Sequence, residues 1–129
     1  MAEVLAIDFF NRTPGCPNLQ LAPPNTANVD ALSRRGQRYS IKGICNGRKT
    51  GQIYPHPEDP ETQLFEYLLV VKMDQSWALQ AIYEFDWSTF CEARSWDSRM
   101  NAWYVGGSAR TLAKGKIYQV ASMAKPAEL

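Results

Sequence analysis

The sequence predicts an α+β fold in a single domain that spans residues 1–129. The chain begins with a helix-like segment that contains neither proline nor glycine. Several short segments with strand-like apolar spacing follow, and a later aspartate can cap a second helix. A chain of 129 residues with 45% hydrophobic and 12% aromatic residues can build one core, which excludes an intrinsically disordered protein.

The first half of the chain predicts one helix followed by short strands. The helix covers residues 2–11, ends before Pro14, and places Glu3, Ile7 and Phe10 on one face. A loop rich in proline and asparagine comes next, and a second long loop covers residues 46–62. The strands predicted in this half are residues 19–21, 28–32, 37–44 and 52–54.

The second half predicts a pair of neighbouring strands, a capped helix and a mixed tail. Residues 65–73 form a buried strand, and residues 79–85 form its antiparallel neighbour. Asp86 is placed to cap a helix that runs to about residue 93. Residues 96–105 are aromatic and predict irregular structure. A last helix near residues 109–114 and a strand near 117–120 complete the prediction.

Composition excludes several classes of site. His56 is the one histidine, which removes His-His metal sites and disfavours a histidine-based catalytic triad. The three cysteines form no CxxC pair and predict no disulfide framework. The N-terminus lacks a secretory pattern, and the longest apolar run, residues 67–71, is too short to span a membrane. We therefore expect a cytoplasmic protein without a membrane partner.

The net charge of +1 hides an uneven distribution. Six basic and no acidic residues lie between Asp30 and Glu58, whereas nine acidic and two basic residues lie from Glu58 to Asp97. A basic stretch of this kind is suited to phosphate groups, because each contact releases counterions. The alternative is a solvated hairpin balanced by acidic residues elsewhere in the fold.

The hairpin at residues 28–44 predicts a specific register. If the numbers of facing residues sum to 70, Asp30 lies opposite Ser40, and Tyr39 and Ile41 fall on an apolar face with Ala31. A sum of 69 would mix polar and apolar side chains on that face, so the alternating pattern favours the first register. Asp30, Ser40 and Lys42 are then predicted to share the other face, with Arg38 beside them.

An aspartate beside a lysine has a use in phosphodiester hydrolysis. The carboxylate can hold a divalent cation, which polarises the phosphate and lowers the pKa of its bound water. The lysine can position that water or stabilise developing negative charge. The alternative is an ordinary cross-strand ion pair between Asp30 and Lys42, worth less than about 1 kcal/mol if exposed.

The segment NVDALSRRGQRYSIKG, with Asp30, a turn and then Ser40-Ile41-Lys42, resembles the PD-(D/E)XK nuclease superfamily. It is similar to a small bacterial branch of that superfamily, as are the later segments FEYLLVVKMD, LQAIYEF and SRMNAW. The resemblance implies a restriction-endonuclease-like core with a central mixed sheet flanked by helices. It also implies a metal-dependent nuclease, or a domain derived from one, that acts on DNA.

The resemblance implies a role for each position of the motif. Asp30 would be the metal-binding aspartate, Lys42 the motif lysine, and Glu3 the acidic residue of the first helix. Ser40 departs from the pattern, because the superfamily carries Asp or Glu there, so metal affinity should fall. The carbonyl of Ile41 would still offer Mg²⁺ an oxygen ligand. The resemblance therefore leaves two outcomes: a weak Mg²⁺ site, or a fold that has lost the chemistry.

The aromatic segment near residues 96–104 is a further candidate for contact with DNA. It predicts either a base-stacking surface or packing over the end of a small core.

A catalytically inactive nucleic-acid-binding or protein-interaction module is the alternative function. A homodimer would help a domain of this size to cut two strands. The predicted nucleic-acid-binding residues are Arg34, Arg35, Arg38, Arg48 and Lys49.

Overall fold

The computed structural model describes residues 1–24, 26–45 and 47–119 and has an α+β fold, with a central mixed sheet of six strands flanked by helices. The helices are α1 (Ala2–Arg12), α2 (Trp87–Ala93) and α3 (Ala109–Leu112). The strands are β1 (Leu19–Leu21), β2 (Ala31–Ser33), β3 (Arg38–Cys45), β4 (Tyr67–Met73), β5 (Leu79–Asp86), β6 (Arg94–Asp97), β7 (Ala102–Val105) and β8 (Lys116–Gln119). The predicted α+β class is therefore confirmed.

The six strands lie in the order β1-β2-β3-β4-β5-β8. β3 and β4 are parallel, and every other neighbouring pair in this sheet is antiparallel. The predicted antiparallel pairing of the strands at 65–73 and 79–85 is confirmed by β4 and β5. A parallel pair needs a crossover, and here residues 47–66 supply it without a helix.

The sheet is covered on both faces, because side chains along a strand alternate between them. On one face Tyr39 and Ile41 of β3 pack against α1, where Phe10 is fully buried. On the other face Leu68 of β4 packs with Phe90 of α2. Side chains on both faces of the central strands are therefore buried, including that of Ser40 in β3.

Helix α1 forms because its apolar residues Ala6, Phe9 and Phe10 recur at helical spacing and are buried together. The first turn of α1 comes very close to β3 at Gly43. A β-carbon at Gly43 would lie 3.1 Å from the Cβ of Ala2 and 2.8 Å from the Cε of Met73. A side chain here would force Met73 to change conformation and the first turn of α1 to shift by a few tenths of an ångström, so glycine favours this close approach of α1 to β3.

The predicted irregular structure at residues 96–105 is wrong, because β6 and β7 form an antiparallel hairpin there. The carboxylate of Asp97 accepts the N–H groups of Arg99 and Met100 at 3.0 and 3.2 Å, and Asn101 has a positive φ of 52°. These contacts form the turn. The crossover lies beside β7, because Ile53 forms an isolated antiparallel bridge with Trp103.

Smaller differences concern the ends of elements. The predicted cap is confirmed: Asp86 accepts the N–H of Thr89 at 2.8 Å and starts α2. β2 begins at Ala31 rather than at residue 28, because Asn28 has a left-handed φ of 59° and donates its side-chain amide to the carbonyl of Tyr54. The last predicted strand begins one residue earlier, at Lys116, and its final position, 120, lies outside the described residues.

Candidate functional site

The predicted hairpin register is confirmed. Ala31 pairs with Tyr39 and Leu32 with Arg38, so each pair sums to 70. Asp30 lies just before β2, and its backbone N–H donates to the carbonyl of Tyr39 at 2.8 Å. Its carboxylate accepts the backbone N–H of Ile41 at 2.7 Å. The β2–β3 pairing ends at Tyr39, and the Asp30 carboxylate then accepts the next N–H on the same edge of β3, that of Ile41.

Beyond this point, no strand within the described residues pairs with this edge of β3. The N–H and C=O of one residue in a strand point to the same side. Since the Ile41 N–H points to Asp30, the Ile41 carbonyl also faces that open edge, as do the backbone groups of Gly43 two residues on. The polar backbone edge therefore lies next to the Asp30 carboxylate.

This edge forms one wall of a cavity of about 490 Å³, which we call the Asp30 cavity. Glu3 reaches it from the first turn of α1, Asp30 from the start of β2, and Ile41 and Lys42 from β3. The remaining lining includes Gly43, Gly51 and Trp77. The four positions Glu3, Asp30, Ile41 and Lys42 come from three segments of the chain, and the fold brings them to one cavity.

Burial and charge act in opposite directions on the Asp30 carboxyl. Burial raises its pKa, whereas the hydrogen bond from Ile41 and the positive charge of Lys42 lower it. The negative charge of Glu3 raises it further, although less than burial does. Among the described residues Lys42 lies in no ion pair within 4.0 Å, so its ammonium group does not neutralise Asp30 by direct contact.

Ser40 does not line the Asp30 cavity. It is fully buried, and its hydroxyl oxygen has no hydrogen-bond partner in the part of the chain that the structure describes. Ser40 faces Leu68 across the parallel β3–β4 pair, and the alternation of side chains places it on the α2 face of the sheet. The buried Ser40 side chain therefore contributes no ligand to the cavity.

The donor set of the cavity is small. Within residues 1–24, 26–45 and 47–119, no three His, Cys, Asp or Glu side chains are grouped so as to hold a metal ion. The cavity offers the carboxylates of Asp30 and Glu3 and the carbonyl edge at Ile41. Mg²⁺ is usually bound through one or two carboxylates, with water and substrate phosphate as its other ligands. These residues fit that minimum, as hard oxygen donors.

The predicted nucleic-acid-binding residues lie at separate places. Arg34 and Arg35 line a second cavity of about 440 Å³, at the turn between β2 and β3. Gln37 of this Arg34 cavity lies four residues from Ile41, or about 13 Å along the strand. Arg38 binds the carboxylate of Glu66 through two guanidinium nitrogens, at 3.0 and 2.7 Å. The positive charge of Arg38 is therefore balanced within the fold.

Arg48 and Lys49 lie in the crossover close to the β6–β7 hairpin. The carbonyl of Arg48 accepts the N–H of Gly107 at 2.6 Å, and its side chain is exposed. The ammonium of Lys49 lies 3.6 Å from Asp97 and 4.5 Å from the ring centre of Tyr104. Of the five predicted basic residues, these two are the closest in sequence to Gly51, which lines the Asp30 cavity.

Trp77 is a cavity residue that the sequence did not predict. It lies in the turn between β4 and β5, has a left-handed φ of 67°, and is 54% exposed. A bulky side chain in this conformation is uncommon and strained. Asp74 holds the turn, since its carboxylate accepts the N–H groups of Ser76 and Ala78. The sequence carries no signal for this placement, because it depends on how the β4–β5 turn folds against α1.

Comparison with known proteins leaves the family open. No protein-family model matches the chain, and no curated protein matches it either. Membership of the PD-(D/E)XK superfamily therefore stays a prediction. Among the described residues, no helix has the length and apolar character needed to cross a membrane.

Proposed function

We propose that the chain is a magnesium-dependent nuclease that acts on DNA phosphodiesters at the Asp30 cavity. One observation carries the proposal: Glu3, Asp30, Ile41 and Lys42 line the same cavity, although they come from three chain segments. These are also the positions that the resemblance to PD-(D/E)XK nucleases selects. A cross-strand ion pair alone would not explain why the acid of α1 reaches the same cavity.

Each residue of the cavity has a separate task. Asp30 and Glu3 would hold the metal ion together with the Ile41 carbonyl. When bound, Mg²⁺ supplies Lewis-acid polarisation of the phosphate and lowers the pKa of a bound water. Lys42 has no carboxylate within ion-pair distance in the described chain, so its ammonium group is available to a phosphate oxygen or to the attacking water.

The position of α1 supports a phosphate at this cavity. Met1 and Ala2 at the start of α1 also line it, so the positive end of the helix dipole faces the same space. Helix N-termini bind anions through their free N–H groups. Gly43 makes this possible, because it lets α1 approach β3 closely. The restriction-endonuclease-like core is part of the proposal, and the mixed sheet flanked by helices is compatible with it.

A second candidate is a nucleic-acid-binding module without catalytic activity. The burial of Ser40 favours it, since among the described residues no third carboxylate lines the cavity in place of the missing motif acid. This candidate would bind DNA through Lys42 and through Arg48 and Lys49 of the crossover. It differs from the nuclease in needing no metal ion and in leaving the DNA intact.

Cleavage assays separate the two candidates. Supercoiled plasmid and single-stranded DNA are incubated with the protein in Mg²⁺, in Mn²⁺ or in EDTA. The nuclease cleaves in both metals and not in EDTA, and Asp30→Asn and Lys42→Met each reduce the rate at least about 100-fold, in line with the loss of a charge-stabilising or acid–base group. Glu3→Gln reduces it less, because one carboxylate remains.

Matched controls come from exposed residues outside the cavity. Glu58→Gln removes a loop carboxylate, and Lys72→Met removes an exposed strand lysine. Both should cleave like the wild type. Equal cleavage by the wild type, Asp30→Asn and Lys42→Met would eliminate the Asp30 cavity as the site. Metal-independent DNA binding without cleavage would establish the binding module instead.

A further inference from the structure

A third cavity, of about 430 Å³, adjoins the β6–β7 hairpin, and we call it the Trp96 cavity. Its lining includes Lys49, Gln52, Trp96, Asp97, Arg99 and Tyr104. From this cavity we infer that the chain takes single-stranded DNA, with an unpaired base stacked on Trp96. The inference rests on the proposed function, because it names the form of DNA that reaches the Asp30 cavity.

Trp96 is an accessible aromatic side chain. It is 45% exposed, although it pairs with Trp103 across the hairpin at a ring-centre distance of 4.8 Å. Trp103 is supported in turn by the guanidinium of Arg94, 3.9 Å from its ring centre. Trp96 is thus accessible to a base while one side of its ring system contacts Trp103.

The polar residues of the cavity suit the rest of a nucleotide. Arg99 lies in no ion pair among the described residues, so its charge is available for a backbone phosphate. The side-chain amide of Gln52 forms no hydrogen bond with the described part of the chain and can donate to and accept from a base edge. Base stacking on aromatics with basic groups on the backbone is the usual way in which proteins hold single strands.

The Trp96 cavity and the Asp30 cavity are lined by consecutive residues of the crossover. Gly51 lines the Asp30 cavity and Gln52 lines the Trp96 cavity. On this inference, one strand places a base on Trp96 and a phosphate near Lys42. A base in this cavity must be unpaired, which excludes an intact duplex at that position.

Binding measured in EDTA tests the inference apart from cleavage. The probes are a fluorescent oligothymidylate, an oligomer of equal length built from abasic sugars, and a duplex. Trp96→Ala should weaken oligothymidylate binding about tenfold, the range expected for one stacked base, and leave the abasic oligomer and the duplex unchanged. Trp96→Phe should retain most of the affinity. Tyr54→Ala, which removes a 48% exposed aromatic side chain outside the cavity, is the control.

The outcomes separate this inference from the proposed function. Equal affinity of the wild type for oligothymidylate and abasic oligomer overturns the inference, as does unchanged binding by Trp96→Ala. Loss of cleavage in Asp30→Asn, with either of those results, leaves the nuclease proposal standing. Should circular dichroism show that Trp96→Ala is unfolded, Arg99→Ala replaces it. That variant should bind oligothymidylate and the abasic oligomer more weakly, with a salt dependence reduced by about one counterion, and should leave the duplex unchanged; unchanged binding of both single strands overturns the inference.

Discussion

The Asp30 carboxylate has two roles in the structure, and replacing it by alanine or by asparagine separates them. It accepts the Ile41 N–H at 2.7 Å, and it holds a negative charge in a cavity where burial raises its pKa. Asp30→Ala leaves the Ile41 N–H without a partner, whereas Asp30→Asn keeps an oxygen acceptor and removes the charge. The two variants should therefore differ in stability while both lose cleavage.

The size of the difference follows from the hydrogen bond. Ile41 is buried, and a buried donor left unsatisfied costs about 1–3 kcal/mol of unfolding free energy. Asp30→Ala should thus lie below Asp30→Asn by about that amount, which for a domain of this length corresponds to a difference in Tm of about 3–12 °C. Asp30→Asn should equal or exceed the wild type at pH 7, because it removes a charge that burial disfavours.

The pH dependence has a defined sign. Since the pKa of Asp30 is raised in the folded state, that state holds the proton more tightly than the unfolded state. Protonation of Asp30 therefore stabilises the folded wild type. This stabilisation is complete below the unfolded pKa of about 4 and is lost as the pH rises through the folded pKa. The stability of Asp30→Asn relative to the wild type should therefore increase from pH 3 to pH 7.

Urea unfolding followed by tryptophan fluorescence measures all three proteins at both pH values. The slope of free energy against urea should be the same in each, so that midpoints can be compared directly. Equal stability of Asp30→Ala and Asp30→Asn at pH 7 would refute the structural role of the carboxylate. The difference in unfolding free energy, Asp30→Asn minus wild type, should be larger at pH 7 than at pH 3. A smaller difference at pH 7 would refute the direction of the pKa shift of Asp30.

Three further substitutions test other parts of the structure by thermal or urea unfolding. Gly43→Ala should cost about 1–3 kcal/mol, because its β-carbon would press on the first turn of α1, and an unchanged Tm would contradict the close approach. Glu66→Gln should cost about 1 kcal/mol at pH 7 and progressively less as the pH falls, since Arg38 lowers the pKa of Glu66 and the stabilisation is lost as that carboxyl is protonated; a cost that does not decrease with falling pH would count against the pair. Asp86→Ala should cost about 1 kcal/mol by removing the acceptor for Thr89, and Asp86→Asn should restore most of it, whereas equal melting of both would disprove the cap.

The parts of the fold that local chemistry determines could be predicted from the sequence. The β2–β3 register follows from the alternation of Tyr39 and Ile41 with polar neighbours, and the start of α2 follows from Asp86. The β6–β7 hairpin escapes prediction because the neighbours Trp103 and Tyr104 put large aromatic side chains on both faces of β7, so no polar–apolar alternation appears. Its turn depends on the hydrogen bonds of Asp97 and on the positive φ of Asn101, and an alternating pattern of polar and apolar residues predicts neither.

The candidate site was predictable only where a single hairpin forms it. Asp30 and Lys42 follow from the register, but the position of Glu3 requires α1 to approach β3 at Gly43, which is a long-range contact. Ser40 shows the limit of the alternating pattern. It assigns Ser40 to the polar face of an isolated hairpin, whereas α2 and β4 cover that face and bury the hydroxyl.

The central claim, that the Asp30 cavity binds a metal ion at a DNA phosphate, is tested most directly by crystals grown with a single-stranded oligonucleotide and Mn²⁺. The account predicts an anomalous peak within coordination distance of the Asp30 carboxylate and the Ile41 carbonyl, with a phosphate oxygen in contact with both the ion and the Lys42 ammonium. A cavity with no peak, in which Lys42 pairs directly with Asp30 while the oligonucleotide lies elsewhere, would contradict it.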